Sequence, residues 1–191
     1  MSGWGAALQT ELEPDDVVLN FAKGGATTES FVNEGLWQSL LDDLSDGDFV
    51  LIQFGHNDQK QPELLAADGG FSDRIDRFIE EVQERNATAI LCTSVERRHF
   101  ANGRLRPSHG PYPAALRRIA AERDLGLVDL TVFTTWLYEF LGDEKAGELF
   151  AAGDRTHFNV RGAQLVARFV AQSLRAMRGL DDLEKPMGAN Q

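Results

Sequence analysis

Apolar positions along this chain fall into two alternating patterns. Short, mostly apolar runs occur at residues 17–22, 49–54, 89–95 and 125–130. Runs of this length, bounded by polar residues or glycine, are expected of strands buried on both faces of a parallel sheet. Between them the spacing turns helical. Phe71, Ile75, Phe78, Ile79 and Val82 recur at i, i+4, i+7, i+8 and i+11, one face of an amphipathic helix. Phe31, Leu40, Leu41 and Leu44 suggest another, and Pro113 suits a first helical turn that puts Leu116 and Ile119 on one side. Thr131 is placed to cap a helix presenting Phe133, Trp136, Leu137 and Phe140. Asn159 is placed to cap one presenting Ala163, Val166, Val170 and Leu174. The order βαβαβαβα predicts an α/β fold, a three-layer doubly wound parallel sheet with helices on both faces.

Two polar stretches break the rhythm. Residues 59–70 and 97–112 each follow an apolar run, so both are expected as loops over the carboxyl edge of the sheet, where open α/β folds bind ligands. At 191 residues the chain suits one domain, expected over residues 1–178, with residues 179–191 as a flexible tail. The net charge of -11 sets like charge against phosphate backbones and anionic lipid, which argues against nucleic-acid or membrane partners. The single cysteine, Cys92, falls in an apolar run and is expected as a core thiol. No run approaches the roughly 18 apolar residues of a membrane span. The first residues lack the basic and apolar regions of a signal peptide. A cytoplasmic protein is expected by default, or a secreted one if a leader precedes this sequence.

Three short motifs carry candidate chemistry. In Asp154-Arg155-Thr156-His157 the carboxylate stands three residues ahead of the imidazole, close enough across a tight turn to accept from a ring nitrogen about 3 Å away. The bland alternative makes Asp154 a turn former and His157 a surface residue. Gly55-His56-Asn57-Asp58 follows a buried run, and the Asn57 amide could donate to a developing oxyanion. Its alternative is a polar turn in which Asn57 tolerates left-handed geometry and Asp58 caps a neighbour. Ala22-Lys23-Gly24-Gly25 could bring a backbone N–H close to a ligand, or be an ordinary βα turn. His56, Asp58, His109, Asp154 and His157 include metal-ligand types, but without HExxH or paired CxxC spacing no metal or other cofactor is expected. His99 and His109 fall in the second polar loop, where solvated and substrate-contacting roles are both open. There is no GxSxG, GxGxxG or Walker A pattern.

Taken in order, the stretches Gly3-Trp4-Gly5, Asn20 to Phe31, Gln53 to Lys60, Ser108 to Pro113 and Asp154 to Phe158 resemble the SGNH (GDSL-like) hydrolases, in particular their rhamnogalacturonan acetylesterase branch. The resemblance runs from residue 3 to about residue 175 and implies a flavodoxin-like sheet and a metal-free Ser-His-Asp esterase. It implies His157 as the base, Asp154 as its orienter, and the Gly25 N–H and Asn57 amide in the oxyanion hole. The nucleophile should be the serine of a Gly-Asp-Ser motif ending the first strand, and no such motif occurs among the 191 residues. Ser2, Ser30, Ser94 and Ser108 are poor substitutes by context. The expectation is therefore a truncated sequence, a sheet lacking its first strand, and an inactive chain as it stands. The substrate class implied is an O-acetylated carbohydrate such as pectin. The rivals are a non-catalytic carbohydrate-binding or interaction domain that kept the fold, and a lipid esterase of the same superfamily, which the polar character of residues 96–112 disfavours.

Overall fold

The structure, a computed structural model, describes residues 2–184, with side chains described as far as Arg178. The chain forms two compact units: residues 21–146, and residues 1–20 together with 147–191.

The larger unit holds the sheet. Three parallel strands, β1 (Phe49–Ile52), β2 (Thr88–Cys92) and the short β5 (Gly126–Val128), pair in the order β1-β2-β5, with Phe49 opposite Thr88 and Ile90 opposite Gly126. In β2 both alternating sets are buried: Ala89 and Leu91 on one face, Ile90 and Cys92 on the other. Such two-sided burial is why the run carries no polar alternation in sequence. Helices α2 (Thr28–Asn33), α3 (Leu36–Asp43), α4 (Gly70–Gln83) and α5 (Tyr112–Glu122) build one core with the strands. In α4 the five residues picked out by spacing are all inaccessible to solvent. Trp37 stacks on Phe78 with ring centroids 3.9 Å apart, locking α3 to α4. Burial pushes the Cys92 thiol up to about 12, so it is an inert core group.

Several expectations are corrected here. Residues 17–22 form no strand: Val17 and Leu19 are 79% and 59% exposed, and no ladder holds them. A β-prone sequence becomes a strand only when a neighbour supplies a ladder. The sheet accordingly has three strands among the described residues. The single helix expected around Phe31 to Leu44 is two, separated at Gly35. Helix α6 (Leu130–Gly147) is capped by Asp129, whose carboxylate accepts from the Val132 N–H at 3.1 Å, and not by Thr131. Its buried stripe is Leu130, Thr134 and Tyr138, while Trp136 and Phe140 are exposed and stack on each other. Residues 97–112 are not simply a loop. They contain a hairpin of β3 (Phe100–Ala101) and β4 (Arg104–Leu105), turned at Asn102-Gly103 with both residues at positive φ, the geometry a two-residue hairpin favours.

In the smaller unit, α1 (Trp4–Leu8) packs against the long α7 (Val160–Glu184). Helix α7 buries Ala163, Val166, Ala167, Val170 and Ala171. It reaches six residues into the stretch expected as a tail, and residues 185–191 lie outside the described residues. Asn159 caps it as expected, accepting from the Gly162 N–H at 3.0 Å while its amide donates to the carbonyls of Glu148 and Phe150. Gly162 is required by contact: a Cβ there would lie 2.2 Å from the Leu149 carbonyl oxygen and 2.7 Å from the Phe158 ring. Gly162→Ala is expected to cost about 1–3 kcal/mol as an overpacked site. Urea unfolding measures it, and an unchanged midpoint would contradict the contact.

Candidate functional site

The Asp154–His157 pair is built by a closed turn in the smaller unit. An antiparallel bridge between Phe150 and Phe158, whose tilted rings meet with centroids 5.1 Å apart, brings the ends of the turn together. The Ala151 N–H donates to the His157 carbonyl at 2.9 Å, and the Asp154 N–H to the Ala151 carbonyl at 2.9 Å. Inside this frame one Asp154 oxygen accepts from the N–H groups of Thr156 (2.6 Å) and His157 (3.0 Å). The other lies 2.8 Å from His157 Nδ1. Two backbone donors thus fix the carboxylate, and the carboxylate fixes the ring. With Nδ1–H donating to Asp154, the lone pair of the neutral ring is on Nε2, as a general base requires. The imidazole is 58% exposed, open to a substrate.

The His157 N–H, then the His157 ring, then the Thr156 N–H hold the Asp154 carboxyl well below the usual carboxylate range. A depressed folded value makes the ionised carboxylate stabilising above the ordinary value of about 4, and that contribution is lost as pH falls through and below it. The difference in Tm between the wild-type protein and Asp154→Asn should therefore be greatest near pH 7 and shrink from about pH 4 downward. A difference that does not vary with pH would contradict this.

Gly25 and Asn57 come together in the larger unit. Residues 23–26 form a turn closed by the Ala26 N–H on the Lys23 carbonyl, with Gly25 at φ +83°. Nothing crowds a Cβ at Gly25, so the turn selects glycine by dihedral and not by space. The Asn57 amide donates to the Ala26 carbonyl at 3.1 Å, and its oxygen accepts from Lys60 Nζ at 2.7 Å. These contacts fix which end of the side chain is the donor, and leave Asn57 a second N–H.

Asp58 and His109, both noted in the sequence, hold this corner through partners that spacing did not specify. Asp58, with no solvent exposure, accepts from the Thr28 N–H (2.8 Å), the Thr28 hydroxyl (2.7 Å) and the Gly55 N–H (2.9 Å). It pins the turn before Asn57 to the start of α2, which Thr27 and Ser30 close as a capping box. The anticipated capping role of Asp58 is thus what its contacts show, whereas Asn57, at φ -103°, does not take the left-handed geometry that the turn reading allowed it. His109 is buried, its Nε2 2.7 Å from the Val95 carbonyl and its Nδ1 3.1 Å from the Gln59 amide nitrogen. Since a carbonyl can only accept, Nε2 carries the proton and Nδ1 accepts from Gln59. Burial lowers its pKa and keeps the ring neutral. His99, by contrast, is exposed. Among the described residues no three His, Cys, Asp or Glu side chains gather as a metal site.

The serines considered as substitutes are engaged in structure. Ser30 belongs to the capping box, Ser94 is buried and donates to the Phe54 carbonyl, and Ser108 donates to the buried Glu96 at 2.5 Å. Ser2 is tied by its main chain, its N–H donating to the Phe158 carbonyl at 2.9 Å. No helix among the described residues is long and apolar enough to cross a membrane.

The sequence pattern of the GDSL-like lipase/acylhydrolase family matches residues 1–165. Rhamnogalacturonan acetylesterase RhgT of Bacillus subtilis (strain 168) is 37% identical over 98% of this chain and 84% of its own length. Probable rhamnogalacturonan acetylesterase YesY of the same organism is 31% identical, over 92% of this chain and 84% of its own. A crystal structure of the Bacillus subtilis protein YxiM superposes with a TM-score of 0.82 at 27% identity, covering 93% of this chain. This chain spans about half of that structure, 51%.

Proposed function

Because the chain belongs to the GDSL-like lipase/acylhydrolase family, we propose that it carries the acid–base machinery of a carbohydrate O-acetylesterase. His157 is the general base and acid, Asp154 its orienter, and the Gly25 N–H and Asn57 amide are oxyanion donors. The observation that carries this reading is the 2.8 Å contact between Asp154 and His157 Nδ1, which leaves Nε2 to move the proton. In the reaction a serine hydroxyl attacks the acetyl carbonyl as His157 takes its proton. The ester C–O bond then breaks, and His157 returns the proton to the departing sugar oxygen, which leaves as a hydroxyl. Water, deprotonated by the same ring, releases acetate and restores the serine. The saccharide part of the substrate is supported by the two acetylesterase relatives, whose names specify rhamnogalacturonan.

The test is acetate release from acetylated pectic oligosaccharides, alongside p-nitrophenyl esters of two to eight acyl carbons, by this chain preceded by a Gly-Asp-Ser strand. Preference for acetyl on sugar, unchanged by EDTA, is the expected result. Preference for octanoyl would make it a lipid esterase. Saccharide binding without any cleavage would make it a non-catalytic carbohydrate-binding domain.

A further inference from the structure

One acceptor beside the Asn57 turn draws donors from two directions. The carbonyl of His56, the residue before Asn57, accepts from Arg97 Nη2 at 3.2 Å and from Gln59 Nε2 at 3.0 Å. A carbonyl oxygen has two lone pairs, so two donors complete it and fix the direction of the His56–Asn57 peptide as well as its place. Each donor is itself held. Arg97 commits Nη1 to the Ser108 carbonyl at 2.8 Å and its main-chain N–H to the Ser108 hydroxyl at 3.2 Å. Ser108 in turn gives its N–H (3.1 Å) and its hydroxyl (2.5 Å) to Glu96, a buried carboxylate whose own N–H donates to Thr134 of α6. The second path starts beyond β2. His109 Nε2 donates to the Val95 carbonyl, Nδ1 takes one hydrogen of the Gln59 amide, and the other hydrogen goes to His56. All of these residues belong to the larger unit.

A stability role does not account for such a cluster. Taking a carboxylate and a guanidinium out of water offsets much of what their contacts return, and apolar side chains of similar volume often fill such space without loss. Aim does account for it. Asp58 fixes one flank of the turn through Thr28 and Gly55, while Arg97 and Gln59 fix the other through His56, so Asn57 stands between two clamps. A side-chain donor serves a developing oxyanion only when its direction is set before the charge forms. We infer that Arg97 and Gln59 are positioning residues, which keep the Asn57 amide aimed by gripping the His56 carbonyl, with Glu96, Ser108 and His109 holding them in place. The inference rests on the oxyanion role proposed above for Asn57, but the grip is measured separately from turnover.

The experiment has two arms. In the 191-residue protein, Arg97→Met and Gln59→Ala should each broaden or shift the side-chain amide proton signals of Asn57. Arg97→Lys, which keeps a donor but loses the fork, should fall between, and Arg118→Met, which removes an exposed pair with Glu122, should leave them unchanged. In the second arm, p-nitrophenyl acetate is turned over by this chain preceded by a Gly-Asp-Ser strand. There Arg97→Met should lower kcat about 10- to 100-fold with KM held within about twofold, as expected for a donor misaimed in the transition state. Asn57→Ala alone should cost about 10²–10³-fold. Added to Asn57→Ala, Arg97→Met should cost less than about threefold more, because no amide remains to be aimed. Unmoved Asn57 signals in both Arg97→Met and Gln59→Ala would overturn the inference. So would kcat losses that simply multiply in the double variant, the mark of a residue that only supports the fold. If the longer polypeptide releases no product, the esterase reading fails and the amide signals alone decide whether the grip exists.

Discussion

Asp58→Ala is expected to lower unfolding stability by about 3–5 kcal/mol, the largest loss among single substitutions near Asn57. The carboxylate has no solvent exposure and satisfies three donors: the Thr28 N–H, the Thr28 hydroxyl and the Gly55 N–H. Removing the acceptor strands all three in the interior, and each buried unsatisfied donor costs about 1–3 kcal/mol, less what water entering the gap recovers. Asp58→Asn keeps the shape but turns an amide NH₂ toward one of these donors, so about half that loss is expected. Because Thr28 begins α2 and Gly55 begins the turn holding Asn57, the damage should also loosen the Asn57 amide on the Ala26 carbonyl. Urea denaturation measures the first effect, and amide-proton line widths of Asn57 the second. A loss below about 1 kcal/mol for Asp58→Ala would mean that water replaces the carboxylate freely and that the corner is not held as described.

What the sequence revealed and what it hid divide along a physical line. Helices α4, α5 and α7 were legible because their apolar residues repeat at helical period and that face is the buried one. Strand β2 was legible because both its faces are buried, which writes an unbroken apolar run. Residues 17–22 write a similar run, interrupted by Asn20, yet strand formation depends on a partner that no local pattern reports. In α6 the apolar count misled: Trp136 and Phe140 look like core, but Thr134 takes the buried position. Its hydroxyl donates to the Leu130 carbonyl and accepts from the Glu96 N–H, so a polar residue is satisfied inside. The site divides in the same way. Asp154 and His157 are three residues apart, so the turn alone makes their contact. Asn57 with Ala26, and Asp58 with Thr28, span 31 and 30 residues, and only the folded chain puts them together. Asn102-Gly103 was a readable hairpin signal that the arginine-rich loop around it obscured.

The largest functional effect is expected at the nucleophile. Assayed alone on p-nitrophenyl acetate, the 191-residue chain should show at most a residual rate, and a longer polypeptide in which a strand ending in Gly-Asp-Ser precedes it should gain turnover that depends on His157. Ser30, Ser94 and Ser108 are committed to a cap, a buried carbonyl and a buried carboxylate, so none is a free hydroxyl for the imidazole to activate. Supporting groups without a triad member retain about 10³–10⁴ over water in serine proteases, and misplacement of about 1 Å costs a further 10²-fold, so the residual here should fall below that range. In the longer polypeptide His157→Ala should cost about 10³-fold or more, roughly 4 kcal/mol of transition-state stabilisation. Asp154→Asn should cost about 10²–10⁴-fold, because the carboxamide no longer selects the Nδ1–H tautomer. Replacing the added serine by alanine should return the rate to that of the short chain. The decisive comparison is the short chain with its own His157→Ala variant. Equal slow rates fit a dyad with nothing to activate. Fast turnover lost in that variant would instead require a hydroxyl within residues 1–191, and Ser2→Ala is the first substitution to make, since the Ser2 N–H already bonds the carbonyl of Phe158, the residue after His157.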